Sequence, residues 1–135
     1  MVHANPRQKS AVSPGDTFIP LAPQRDGHLW VVISEPTVQS RVAIVNFTTR
    51  RPPCDDSCVV QPGEHSFIVR ESILLYARAR LQDLDALVSH LTAGFYVPRE
   101  PVSEPLLRRI QEGAFVSEFT PGNVQASVRS TLESR

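Results

Sequence analysis

Two short β-rich apolar runs, His28-Leu29-Trp30-Val31-Val32-Ile33-Ser34 and Arg41-Val42-Ala43-Ile44-Val45-Asn46-Phe47-Thr48-Thr49, constrain this chain more than any other feature. The first is too short for an independent helix and is stopped by Glu35-Pro36, so both runs read as strands. Alternation puts His28, Trp30, Val32 and Ser34 on one face of the first. The connection through Thr37 to Ser40 is short enough for a hairpin, which makes the pair antiparallel.

Around this pair the punctuation is dense, with twelve prolines in 135 residues. Asp16 to Pro20 is a short strand closed by proline, followed by the turn-rich stretch Pro23 to Gly27. Ser57 to Gln61 and Ser66 to Val69 give two further short strands on either side of the Pro62-Gly63 turn. Ile73 to Leu81 reads as a half-exposed strand with Ala77, Ala79 and Leu81 inward and Tyr76, Arg78 and Arg80 outward. Asp83 can cap a helix carrying Leu84, Leu87, Val88 and Leu91, with Gly94 just past its end. After a proline-bounded link from Val97 to Val102, Ser103-Glu104-Pro105 starts a second helix, with Leu106, Leu107, Ile110 and Ala114 on one side. Thr120-Pro121 opens a third, short one.

The expected organisation is a loose arm over residues 1–14 and one domain over 15–135, with strands to residue 81 and mainly helix from 82. The expected fold class is α+β, a small SH3-like β-barrel followed by two or three C-terminal helices. A mixed sheet backed by helices is the alternative.

Fourteen basic and fourteen acidic side chains cancel, so a polyanion would need a local patch rather than a global field. Nearly all the basic residues are arginine, which suits bidentate phosphate contact, although genome composition explains the same bias. No apolar run approaches the roughly 20 residues of a membrane span, and the N-terminus lacks the core of a signal peptide. The expected address is the cytoplasm, without membrane contact. Cys54 and Cys58 do not make a disulfide framework and read as free thiols.

The hairpin sets the candidate chemistry. The start of its first strand lies beside the end of its second, so His28 and the Thr48-Thr49-Arg50-Arg51 group should meet at one rim. Arg25 stands in the turn before His28, and the turn bearing Glu64-His65-Ser66 joins the group if it folds over the same rim. Such a set suits RNA cleavage that uses no metal or other cofactor: His28 and His65 for proton transfer, Arg25, Arg50 and Arg51 for phosphate, Thr48 or Thr49 for a non-bridging oxygen. Tyr76, Arg78 and Arg80 would line an adjoining RNA groove, whereas Trp30 and Phe47 read as core. The competing reading is a strand-end histidine, solvated arginines and threonines that merely favour strand. A zinc site from the histidines with Cys54 and Cys58 is a weaker alternative, since a lone Cys-x3-Cys lacks the usual paired knuckle. Phosphate-cradling glycine loops, dinucleotide fingerprints and nucleophile elbows are absent from the sequence.

Gly15-Asp16 before the first strand, the turn into His28-Leu29-Trp30-Val31-Val32-Ile33, the strand ending Val45-Asn46-Phe47-Thr48-Thr49 and the stretch Ser72 to Arg80 together resemble the PemK/MazF toxin family. The resemblance spans roughly Gly15 to Ala93 and implies a dimeric SH3-like barrel that cleaves single-stranded RNA without metal and is neutralised by an antitoxin. In that family an arginine stands just before the first hydrophobic strand; here the position holds His28, with Arg25 three residues earlier. Two possibilities follow: a histidine-based ribonuclease, or a barrel that has lost catalysis and kept binding. From another class comes a non-catalytic protein-interaction module of phage or bacterial origin that uses the same barrel or the helices from Ser103 onward.

Overall fold

The computed structural model describes residues 12–134. In chain order these form β1 (Thr17–Pro20), β2 (Trp30–Val32), β3 (Arg41–Thr49), β4 (Val59–Val60), β5 (Ser72–Leu74), a 3-10 turn at Tyr76–Arg78, β6 (Arg80–Asp83), α1 (Leu84–Ala93), β7 (Tyr96–Arg99), α2 (Glu104–Val116) and α3 (Gly122–Glu133). The expected arm falls on residues 1–14, of which 1–11 lie outside the described residues. Order reaches further back than Gly15: Val12 is buried, and the Ser13 amide donates to Asp16 Oδ2.

All strand pairings are antiparallel, and the path runs β4-β5-β3-β2-β1-β7, with β6 also on β3. The fold is thus α+β, as expected, with an open seven-stranded sheet and three helices; among the described residues no ladder joins β4 to β7 to close a barrel. The predicted hairpin is present, pairing Trp30 with Asn46, Val31 with Val45 and Val32 with Ile44.

Helices cover this sheet on both faces, which is why the centres of the two runs are apolar on both sides, Asn46 apart, instead of alternating with polar residues. Leu29, Val31, Ile33, Ala43, Val45 and Phe47 meet Leu106, Leu107, Ile110 and Ala114 of α2 and Val124 and Val128 of α3. On the other face Trp30, Val32, Val42 and Ile44 gather with Phe18, Tyr96 and Leu87, and Leu84, Val88 and Leu91 of α1 pack against them. Full burial of each such aliphatic side chain is worth about 1.5–3 kcal/mol, so α2 and α3 are integral to the fold rather than an appendage.

The predicted caps hold these helices in place. Asp83 accepts from the Ala86 amide at 2.9 Å, and Gly94 ends α1 in the left-handed region at φ +81°. Ser103 accepts from the Leu106 amide at 3.2 Å at the start of α2.

Three expectations are corrected. The stretch Ile73 to Leu81 is not one strand. β5 pairs with the C-terminal part of β3, Leu74 opposite Phe47, and β6 with its N-terminal part, Arg80 opposite Ile44. Six steps from Leu74 to Arg80 therefore face three on β3, and the 3-10 turn takes up the difference. That turn drives Tyr76 inward, where it is 0% exposed and its hydroxyl donates to the Ile110 carbonyl at 2.7 Å. Ser66 to Val69 is not a strand but part of a compact loop, closed by Ile68 N–H to the His65 carbonyl at 2.9 Å and Gly63 N–H to the Ile68 carbonyl at 3.1 Å. The link at Val97 contains β7, which pairs with β1; Pro98 is tolerated because β7 is the sheet edge.

Candidate functional site

The hairpin register that pairs Trp30 with Asn46 carries His28 to a place beside Thr48, and the Phe47 amide donates to the Leu29 carbonyl at 2.9 Å between them. The histidine is held there from behind. Asp26 accepts from the His28 backbone amide at 2.9 Å with one carboxylate oxygen and from Trp30 Nε1 at 2.8 Å with the other. This brace fixes the turn that delivers His28 while leaving its imidazole half-exposed.

His28, Thr48, Thr49 and Arg51 line one groove of about 490 Å³, as the antiparallel geometry requires. Its opposite wall is Phe67, Ile68, Val69 and Arg70. The loop after β4 does fold over the rim, yet it presents these four residues and not His65. Arg51 and Arg70 are exposed, and among the described residues neither has an ion-pair partner, so both guanidinium groups remain available to an anion. The groove therefore combines one imidazole, two threonine hydroxyls, the Ser72 hydroxyl that donates to the Arg70 carbonyl, two cations and an apolar strip that includes the outward-facing Val69.

The other predicted site residues lie elsewhere. Arg50 turns away and grips Asp56 through two bonds of 2.9 Å, with Glu71 at 3.3 Å. Beside Arg50 the Asp56 carboxyl is held below its usual range. Arg25 is exposed in the turn before His28 and does not line the groove. Tyr76 belongs to the core, as described, where burial pushes its phenol up. Arg78 is exposed on the 3-10 turn, and Arg80 lies over the Trp30 ring at 4.6 Å. His65 is buried with both ring nitrogens at backbone groups, Nδ1 at the Phe67 amide and Nε2 at the Glu100 carbonyl.

The thiols do not converge on the histidines. Cys58 is buried against Gly113 and Tyr76, and burial pushes its thiol up; desolvation and then the Asp56 carboxylate raise that of Cys54. Among the described residues no group of three or more His, Cys, Asp or Glu could hold a metal ion. Also among them, no helix is long and apolar enough to cross a membrane.

Sequence reading missed Arg70, Phe67 and Asp26. Asp26 had a signal, a carboxylate in a turn two residues before His28, since aspartate in turns accepts from the amide two residues on. Arg70 and Phe67 had none, because their place depends on where the loop lands. No family model, curated protein or solved structure gives a significant match to this chain.

Proposed function

We propose that the rim groove binds single-stranded RNA and cleaves it without a metal, with His28 as the proton acceptor. The observation that carries this reading is the convergence of His28, Thr48, Thr49, Arg51 and Arg70 on one groove. Arg51 and Arg70 take a phosphodiester, the threonine hydroxyls donate to a non-bridging oxygen, and the Phe67–Val69 strip receives a base or sugar face. His28 removes the 2′-hydroxyl proton; the 2′-oxygen bonds to phosphorus as the bond to the 5′-oxygen breaks, leaving a 2′,3′-cyclic phosphate. The departing 5′-oxygen takes its proton from water, because His65 does not reach the groove.

The resemblance of Gly15 to Ala93 to PemK/MazF toxins supports the same reading, and an SH3-like arrangement of the strands belongs to the proposal. A homodimer, an antitoxin partner and a cytoplasmic address belong to this proposal. Binding without cleavage is the second reading, favoured by the single imidazole. A partner-binding role for the C-terminal helices would use their outer faces, because the inner faces of α2 and α3 cover the sheet.

The test is mixed-sequence RNA incubated with purified protein in EDTA, with His28→Ala in parallel. Cleavage that needs His28 supports the ribonuclease. RNA bound through Arg51 and Arg70 but left intact selects the second reading, and RNA neither bound nor cut removes both.

A further inference from the structure

His65 is a buried titratable group that the proposed chemistry does not use. It is 4% exposed, its Nδ1 lies 3.0 Å from the Phe67 amide nitrogen, and its Nε2 lies 2.7 Å from the Glu100 carbonyl oxygen. A backbone amide can only donate and a carbonyl can only accept, so the ring must carry its one proton on Nε2. It thereby ties the first residue of the groove wall to the linker between β7 and α2.

We propose that His65 is a pH-sensitive latch on the Phe67–Arg70 wall of the rim groove, closed while the ring is neutral and released when it is protonated. An imidazolium has a donor on each nitrogen, so a proton on Nδ1 would face the Phe67 N–H, ending that hydrogen bond and leaving a charge in a buried site. The ring is accommodated only by leaving its place, and the Phe67 amide then loses its acceptor.

The charged groups around it set the direction of release. Glu100 brings a carboxylate on the linker, held below its usual range chiefly by the hydrogen bond from the Ser66 hydroxyl. This exposed carboxylate is the counter-ion for a displaced imidazolium. Arg99, at the end of β7, stands over the Phe67 ring at 5.3 Å and opposes positive charge on the buried side. Glu64, beside His65 in the chain, is already engaged by Arg109 of α2, which also donates to the Val59 carbonyl at 2.7 Å. That ion pair holds the base of the loop, so release affects the wall without detaching the loop. Because the closed form binds one proton fewer than the open form, acid favours opening.

The latch does not depend on RNA being the ligand, and its test contains none. Amide hydrogen exchange at Phe67–Arg70 and the ¹⁵N shifts of the His65 ring are followed by NMR as the pH is lowered. Protection is corrected for intrinsic exchange. The expected result is the Nε2–H tautomer at high pH, with Phe67 protection falling by up to about tenfold per pH unit as the ring takes up its proton. His65→Asn offers an oxygen to the Phe67 amide and does not titrate, so its protection should be flat with pH. Ring protonation with Phe67 protection unchanged overturns the proposal, as does pH-independent protection in wild type or an equal fall in His65→Asn. Should the variant not fold, the coincidence of ring titration and Phe67 exposure in wild type decides alone.

Discussion

Gly113 occupies the inner face of α2, where an added Cβ would strike the Tyr76 hydroxyl and lie 3.0 Å from Tyr76 Cζ and 3.1 Å from Cys58 Cβ. In an open helix, alanine is better than glycine by about 1 kcal/mol, so propensity alone predicts that Gly113→Ala stabilises. The structure predicts the reverse. Tyr76 is fully buried and its hydroxyl is committed to the Ile110 carbonyl, so the ring cannot yield without losing that bond. Overpacking costs about 1–3 kcal/mol. Losing the buried hydrogen bond costs about 1–3 kcal/mol more. Set against the propensity gain, the net loss is about 3 kcal/mol, or roughly 10 °C in Tm for a chain of this size. Urea denaturation with linear extrapolation reads it directly. Gly122→Ala at the start of α3 is the control, since nothing lies within 4 Å of its added Cβ; it should be neutral or stabilising by up to about 1 kcal/mol. Tyr76→Phe removes the struck hydroxyl, so the cost of Gly113→Ala should fall by about 1 kcal/mol or more in that background. A Gly113→Ala protein as stable as Gly122→Ala would refute the close approach of α2 to the 3-10 turn.

Three further outcomes are expected. Arg51→Ala and Arg70→Ala should each weaken RNA binding and lower the magnitude of its log–log salt slope by about 0.7, measured by fluorescence anisotropy at several salt concentrations. Asp26→Ala should destabilise the chain by about 1–3 kcal/mol, because it frees the His28 amide and the buried Trp30 indole N–H together; urea denaturation and Trp30 fluorescence report it. Glu64 is held below its ordinary carboxyl range chiefly by its hydrogen bond from Arg109, so the stability it contributes is present above about pH 4.5 and lost as pH falls through its folded value. Arg109→Met should flatten that limb of the stability–pH curve.

Much of the fold follows from local signals. The two apolar runs, their short connection and their antiparallel pairing needed no distant partner, and they placed His28, Thr48, Thr49 and Arg51 together through register alone. The caps Asp83, Ser103 and Gly94 were legible because capping is chemistry between residues a few positions apart. Other features depended on partners far away in sequence. Tyr76 reads as the outward member of an alternating strand until β3 is seen to host β5 and β6 with unequal spacing, which forces a turn and sends the ring to Ile110. Arg50 and Arg51 are indistinguishable as neighbours in the sequence, yet Asp56 and Glu71 claim the first and leave the second to the groove. His65 was a plausible acid or base until the Glu100 carbonyl, 35 residues away, was found against it. Hydrophobic period and capping act over a turn or a strand and are written in neighbouring residues; burial and pairing of single polar groups are fixed only when the loops and helices close over the sheet.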